Sequence, residues 1–424
     1  LFLQLRLGSK IMSELRQEEV SFLDANDSLS MYRDRFVIPK DTIYLNGNSL
    51  GAMPLEALER SRKTMQEEWG NGLIKSWNSA GWYYSPHRIG DKLARIIGAD
   101  EGEVVCVDAT GINLFKTIIA ASELNKERKY IVMEGSNFPT DNYVVQGALK
   151  LLRNRHEIRF VEHEKLLESI DQDVSIVCLT HTHYRTGHIH DMAMINLRAQ
   201  EVGALTIWDL SHSAGIVPLA LNQHKTDFAV GCTYKYLNGG PGSPAFVFCA
   251  KRHHGKSTQP LTGWWGHKEP FEFSRDYVPA DGIRQFQTGT QPIISMLIAE
   301  SGIDIALEVD MDDAINKSRK MGDMFIHLME QRLSEFEFKI ASPRDSVSRG
   351  GHVAIEHENG YAIIQALLNE DVIADFRAPK TMRFAFSPLY LRFKDVLSTV
   401  DILERVMRDR CWDQSKFKQR SAVT

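Results

Sequence analysis

The sequence predicts an α/β fold: a large domain with a mainly parallel sheet flanked by helices, followed by a smaller α+β domain at the C-terminus. Three observations predict it. Between residues 101 and 250, short apolar runs alternate with helical stretches, the pattern of strands buried on both faces. Beyond residue 300 the pattern changes to long helices set around short strands. The chain of 424 residues, 43% apolar and 25% charged, is too long for one small module and has the composition of a folded chain rather than a disordered scaffold.

The six runs that read as strands are 103–107, 129–133, 175–179, 205–208, 227–231 and 245–249. In the last third a helix is predicted over 313–336, with Phe325, Leu328 and Leu333 on one face. Strands follow at 338–341 and 352–356, a helix at 361–369, strands at 372–376 and 382–386, and a helix at 393–407. No repeat or Pro/Ser linker marks a boundary. The division by pattern is an N-terminal segment 12–60, a large domain 61–300 and a small domain 301–424. Residues 1–11 alternate leucine with Gln4 and Arg6 and lack the apolar core of a signal peptide, so they read as leader or added residues ahead of a start at Met12.

Composition excludes several function classes. A net charge of -5 offers no surface to a polyanion, so nucleic acid is not an expected partner. No run of about 18 to 20 apolar residues is present, so no membrane helix is expected. Cys106, Cys178, Cys232, Cys249 and Cys411 are odd in number and include no CxxC pair. They read as reduced thiols in a cytoplasmic protein rather than a disulfide or zinc framework.

Three motifs tempt and fail. Gly47-Asn48-Ser49-Leu50-Gly51 matches the G-x-S-x-G of a serine nucleophile, but it precedes most of the sheet, and Pro54 places the helix start later than an elbow requires. Gly255-Lys256-Ser257 would be a phosphate-binding loop only with glycine at position 250, which is Ala250. His181, His183, His188 and His190, with Asp191, lack the spacing of a compact metal site, and the expectation is no metal. No GxGxxG follows a strand, which disfavours a Rossmann dinucleotide site.

One constellation outweighs its bland reading. Asp209 ends the predicted strand 205–208, at the sheet edge where open α/β folds place ligands. His212 lies three residues on, and the strand 227–231 runs into Thr233-Tyr234-Lys235. A lysine emerging beside a strand-end aspartate is what pyridoxal 5′-phosphate chemistry needs: an amine to hold the cofactor covalently and a carboxylate for the pyridine nitrogen. The same edge receives Thr110-Gly111 at a helix start, where free amides cradle phosphate. It also receives Phe138-Pro139-Thr140-Asp141, with Pro139 at the first helical position, and Thr180 at a strand end.

These residues resemble the kynureninase family: residues 45–51 (LNGNSLG), 137–141 (NFPTD), 208–215 (WDLSHSAG), 234–242 (YKYLNGGPG) and 261–267 (LTGWWGH) stand in the family's order, over residues 20 to 410. The resemblance implies the aspartate-aminotransferase-like fold type I and a homodimer with shared active sites. It implies hydrolytic Cβ–Cγ cleavage of L-kynurenine, or its 3-hydroxy form, to the anthranilate and L-alanine, a step of tryptophan catabolism. Lys235 becomes the lysine that holds the cofactor and then the general base, and Asp209 the partner of the pyridine nitrogen, supported by His212. Thr110, Gly111, Tyr234 and Trp264 bind phosphate, Phe138 covers the ring, and Pro139, Thr140, Asp141 and Thr180 line the cofactor site. Thr290 reaches a neighbouring subunit's phosphate, Arg383 grips the substrate carboxylate, and Tyr234 is the candidate proton donor of the second half-reaction. Gly111 departs from relatives that carry Ser or Thr there.

The alternative is another fold type I enzyme, such as a cysteine desulfurase or an aminotransferase. A desulfurase needs a nucleophilic cysteine on a mobile loop, and four of the five cysteines fall in or beside predicted strands. A non-enzymatic ligand-binding regulator would carry a helix-turn-helix and a basic face, and neither is visible.

Overall fold

The computed structural model describes residues 17–153 and 155–420, so the reading of residues 1–11 and of Met12 lies outside the described residues. Helices α1 (Gln17–Ala25) and α2 (Leu55–Lys63) flank an irregular N-terminal stretch. Helix α3 (Ser85–Ile97) buries Ile89, Leu93 and Ile97 at intervals of four, begins on Pro86 in its first turn and stops at Gly98, whose φ of 68° is left-handed.

From here strand and helix alternate: β1 (Val104–Cys106), α4 (Thr110–Leu124), β2 (Tyr130–Glu134), α5 (Pro139–Leu151), β3 (Glu157–Val161) and β4 (Val174–Thr180). Then come α6 (Met192–Val202), β5 (Leu205–Asp209), β6 (Phe228–Gly231) and β7 (Phe246–Cys249). They form one seven-stranded sheet in the order β1-β7-β6-β5-β4-β2-β3. Only β7 runs antiparallel to its neighbours. All six predicted strands are present. The seventh, β3, escapes the sequence reading because it is an edge strand: Glu157 and Phe160 are exposed, so it has no continuous buried run.

Helices α7 (Ile293–Glu308) and α8 (Met311–Arg332) lead into the C-terminal part, and the Asp310 carboxylate caps α8 by accepting from the amides of Asp312 and Asp313. Strands β8 (Lys339–Ile340), β9 (His352–Glu356), β10 (Asp375–Arg377) and β11 (Thr381–Ala385) make an antiparallel sheet in the order β8-β9-β11-β10, packed with α9 (Gly360–Leu368) and α10 (Phe393–Arg408). The strand expected over 372–376 divides in two. Val372–Ile373 leaves the sheet and pairs in parallel with Ile43–Tyr44, while Asp375–Arg377 pairs with β11.

That pairing has a consequence for the core. Val20, Leu29, Phe36 and Leu45 join the same buried cluster as Phe325, Phe384 and Phe386, with the Phe325 and Phe384 rings 4.8 Å apart. The first segment of the chain is therefore held by the last, and its loop at 46–51 is carried to the sheet edge.

The small sheet meets the large one through His352, at the start of β9. A Cβ on Gly187 would crowd the His352 carbonyl, and one on Gly351 would crowd the Tyr236 ring. Burial, with the Arg383 charge, holds the His352 imidazole down to about 3, against an opposing pull from Asp375 and a further push from His183. His87 is held down to about 4 by burial and by Arg284, with Asp91 opposing. Both rings are neutral when folded and gain a proton on unfolding below about 6.5, so the unfolded chain binds more protons in acid and stability falls as pH falls from 6.5 towards 4. At pH 5 the loss is about 2 kcal/mol for each ring. We expect the melting temperature to be several degrees lower at pH 5 than at pH 7.5, with a shallower fall in the His87→Gln variant. An equal or higher melting temperature at pH 5 would contradict the buried neutral state.

Candidate active site

Parallel pairing brings the C-terminal ends of β4, β5 and β6 to one edge. Thr180 stands opposite Asp209, and Asp209 opposite Val230. Asp209 is 6% exposed, and one of its carboxylate oxygens accepts from the Ser211 amide at 2.8 Å. This bond turns the chain directly after the strand, so that His212 comes back over the edge. Past β6, the Thr233 hydroxyl bonds Ser243 Oγ at 2.7 Å and the Pro244 carbonyl at 2.6 Å, which fixes the loop that carries Tyr234 and Lys235.

Lys235 Nζ lies 3.3 Å from His212 Nε2, 5.9 Å from the centre of the Phe138 ring and 5.8 Å from that of Tyr234. The structure therefore joins Lys235, His212, Phe138 and Tyr234 as a group. The partner it provides for the His212 ring is Lys235, whereas the sequence reading had placed His212 in support of Asp209.

The charges are unusual. Burial raises the Asp209 carboxyl, against the pull of Ser211 and Lys235. Burial and then the nearby Asp209 charge raise Asp141 well above the carboxylate range, with Thr180 and Lys235 opposing. His212 is held well below its ordinary value by burial and by the Lys235 charge, so it is neutral at pH 7. Burial pushes the Tyr234 hydroxyl up, with Cys232 and Asp209 adding to the shift, so the phenol keeps its proton. Two buried carboxyls thus share the cationic influence of a single lysine.

Around this group the predicted loops arrive as helix starts. Asp108, at a φ of 48°, turns the end of β1 into α4, and the fully buried Lys116 pins it with bonds of 2.5 Å to its carboxylate and to the Phe286 carbonyl. The N-cap of α4 is Ala109, which offers no side-chain cap, so the amides at Thr110 and Gly111 are left for an external anion. A Cβ on Gly111 would stand 3.3 Å from Thr140 Cγ2. Helix α4 thus packs closely on the start of α5 at this point. Pro139 opens α5 as expected, with Phe138 at the N-cap and 38% exposed. Asn137 ties this loop to β4 by donating to the Cys178 carbonyl at 3.3 Å, and the Thr180 hydroxyl donates to Asp141 at 3.1 Å.

Arg383 arrives from β11, 1% exposed. Its Nε and Nη2 pair with both Asp375 oxygens, the former at 2.7 Å, and its Nη1 donates to the Tyr184 carbonyl at 2.5 Å. The Tyr184 ring in turn meets Phe138 edge-on at 5.2 Å, so Arg383 is one residue removed from the Lys235 group. Arg377 also pairs with Asp375, at 3.0 Å. Two guanidiniums thus face one carboxylate, and both hold Asp375 below the usual carboxylate range, against the effect of its burial.

Several residues of this site were not predicted. Ser49 donates to Asp375 at 2.6 Å and accepts from Arg383 at 3.0 Å and Arg377 at 3.3 Å. Its hydroxyl is locked among charges, which removes the nucleophile reading of 47–51. That loop lies on the lysine loop instead: the Gly51 amide donates to the Tyr234 carbonyl at 2.7 Å, and a Cβ on Gly51 would overlap the Lys235 carbonyl. Asn48 in the same loop is fully buried, and neither of its amide atoms has a protein partner. Asp375, Arg377 and Tyr184 lay in no chemical pattern; only the repeated basic residues at 377, 380 and 383 hinted at a charged strand face.

Two predicted residues lie apart. Trp264, 39% exposed, packs on Trp265, Phe271 and Phe273, and Thr290 is exposed beyond the adjoining loop. Among the described residues neither bonds to the Lys235 group. The cysteines are free, with Cys106, Cys178, Cys232 and Cys249 buried.

The chain is similar along its length to known proteins. A family model for the kynureninase C-terminal domain matches residues 315–403. A kynureninase of Pseudomonas fluorescens is 48% identical over 95% of this chain and 98% of its own. One of Burkholderia pseudomallei (strain 1106a) is 45% identical over 96% of this chain and 99% of its own. Among solved structures, a cysteine desulfurase of Thermococcus onnurineus superposes with a TM-score of 0.77 at 17% identity, covering 94% of this chain and all of that one. A variant of the enzyme C-DES, with glycine covalently linked to a PLP cofactor, superposes with a TM-score of 0.76 at 15% identity, covering 88% and 98%. The structural likeness carries the fold, and the near full-length identity carries the family: the chain belongs to the kynureninases.

Proposed function

We propose that this chain hydrolyses the Cβ–Cγ bond of L-kynurenine, or its 3-hydroxy form, to the anthranilate and L-alanine, with pyridoxal 5′-phosphate as cofactor. The observation that carries the reading is the Lys235 amine set between His212 and the Phe138 face, with two buried carboxyls under its charge.

The residues fit that cofactor. Asp209 and Asp141 are short of positive charge, which a protonated ring nitrogen would supply. The uncapped start of α4 at Thr110 and Gly111 would take a phosphate, Phe138 would cover the ring, and Thr180, Pro139 and Thr140 would shape its pocket. Trp264 and Thr290 would complete the phosphate site from a neighbouring subunit in a homodimer, as their exposure allows. Free cysteines suit a cytoplasmic location.

Pyridoxal 5′-phosphate supplies an electron sink conjugated to the substrate amine. Lys235 takes the proton from the substrate α-carbon, and neutral His212, 3.3 Å away, accepts a hydrogen bond that aims the ammonium so formed. Arg383 and Arg377, two cations against Asp375, hold the α-carboxylate. Water adds at the γ-carbonyl and the Cβ–Cγ bond breaks, releasing anthranilate. Tyr234, protonated at pH 7, delivers a proton to the β-carbon, and the Lys235 ammonium returns one to the α-carbon, which completes alanine.

Anthranilate fluorescence should fall by about 10³-fold or more in Lys235→Ala, the loss of a positioned base; kynurenine cleavage at the normal rate in that variant would overturn the assignment. Removing the Ser49 hydroxyl from its two guanidiniums should disturb carboxylate binding more than chemistry. For Ser49→Ala we expect KM for kynurenine to rise about three- to tenfold, the worth of one hydrogen bond, with kcat little changed. An unaltered KM would move the carboxylate contact away from Arg383 and Arg377.

A further inference from the structure

The sequence expectation of no metal considered only the histidines at 181–191. In the structure that group divides. His181 Nδ1 turns to Ser213 Oγ at 2.9 Å, and His183 bonds Thr186 Oγ1 at 3.0 Å and the Ser136 carbonyl at 2.9 Å. His188 and His190 are left on the other side of the loop, where His163 reaches them from the short turn after β3. One ligand nitrogen from each of His163, His188 and His190 lies within 4.8 Å of the others. The rings crowd one another, with centroids 4.3 Å (163–188), 5.0 Å (163–190) and 5.4 Å (188–190) apart.

Glu134, the last residue of β2 and 3% exposed, stands behind them. Its two oxygens take separate rings, His163 Nδ1 at 3.1 Å and His190 Nε2 at 3.0 Å. A carboxylate that fixes the orientation of imidazoles is the outer support found behind metal-binding histidines. The third ring, His188, makes no hydrogen bond among the described residues, although its backbone is held on both sides: its amide donates to Thr186 Oγ1 and its carbonyl accepts from the His183 amide at 2.8 Å. Three imidazoles and one buried carboxylate, gathered from three separate segments, are more than a packing arrangement requires, since an apolar side chain in place of His190 would fill the same space without the cost of desolvating it against Glu134.

We propose that His163, His188 and His190, backed by Glu134, form a site for a divalent cation of the zinc class, for which imidazole nitrogen is a preferred ligand. Nitrogens on a tetrahedral zinc stand roughly 3.4 Å apart at bond lengths of about 2.0–2.1 Å, so modest side-chain rotations close the group. The fourth position belongs to water. His163 is at the surface, which provides the entry path. A bound ion would clasp the end of β2, the turn after β3 and the loop after β4. The first of these runs directly into Asn137 and Phe138, so the site would stiffen a wall of the active site without taking part in the reaction.

The test is calorimetric titration of the chelator-washed, full-length protein with zinc chloride, repeated with cobalt(II) followed by its visible absorption. We expect one ion per chain with a Kd in the micromolar range or tighter, and a cobalt spectrum of four-coordinate intensity. His163→Ala and His188→Ala, both at partly exposed positions and each checked for an unchanged melting curve without metal, should weaken binding at least tenfold. No saturable binding in the parent protein, or binding equally tight in both variants, overturns the site. A spectrum showing thiolate ligation would do the same, by placing the ion on a cysteine.

Discussion

The site depends on an imbalance of charge. Asp141 and Asp209 are buried where β4 and β5 end, and Lys235 is the cation whose charge acts on both. Burial raises both carboxyls and the Asp209 charge raises Asp141 further, so a bound group carrying positive charge would relieve them. The other features follow from that need. The parallel register sets Thr180 beside Asp209, the loop after β6 carries the lysine to the same edge, and the aromatic face of Phe138 borders the space between.

A second arrangement lies beside it and obeys the opposite sign. Arg383 and Arg377 share Asp375, with the Ser49 hydroxyl bridging all three. In the proposed function the acidic group would face the cofactor's cation and the basic group the substrate's anion, and Tyr184 joins the two by its ring to Phe138 and its carbonyl to Arg383. The contact between the two sheets would thereby set the orientation of the proposed substrate. The N-terminal loop matters here out of proportion to its length, because it supplies Ser49 on one side and touches the lysine loop through Gly51 on the other.

The cysteines set this chain apart from the chemistry a desulfurase requires. The desulfurase fold is shared over nearly the whole chain, yet four of the cysteines here are buried in strands or directly beside them and Cys411 lies near the C-terminus; Cys232, which opens the Lys235 loop, is itself buried with its thiol on the Ser211 carbonyl. Burial drives the thiols of Cys106, Cys178, Cys232 and Cys249 up rather than down, the wrong direction for a nucleophile.

Local pattern was enough for the strands that matter most, because a strand buried on both faces must be apolar throughout, and this is visible without neighbours. The same holds for Asp209 and Lys235, polar residues placed directly after such runs, and for Pro139 and Gly111 at helix starts. The edge strand β3 and the division of 372–376 were not legible, since the first has no buried run and the second is decided by a partner at 43–44. The ring of Ser49, Asp375, Arg377 and Arg383 draws on residues more than 300 positions apart, and the group of His163 with His188 and His190 on two loops. Sequence by itself determined which segments become strands, where each ends, and which side chains follow those ends, because these depend on short-range periodicity and turn chemistry. Tertiary structure alone decided which charges face one another, because a carboxylate's partner is chosen by distance in space, and the chain brings that distance about only when the two sheets close on the N-terminal loop.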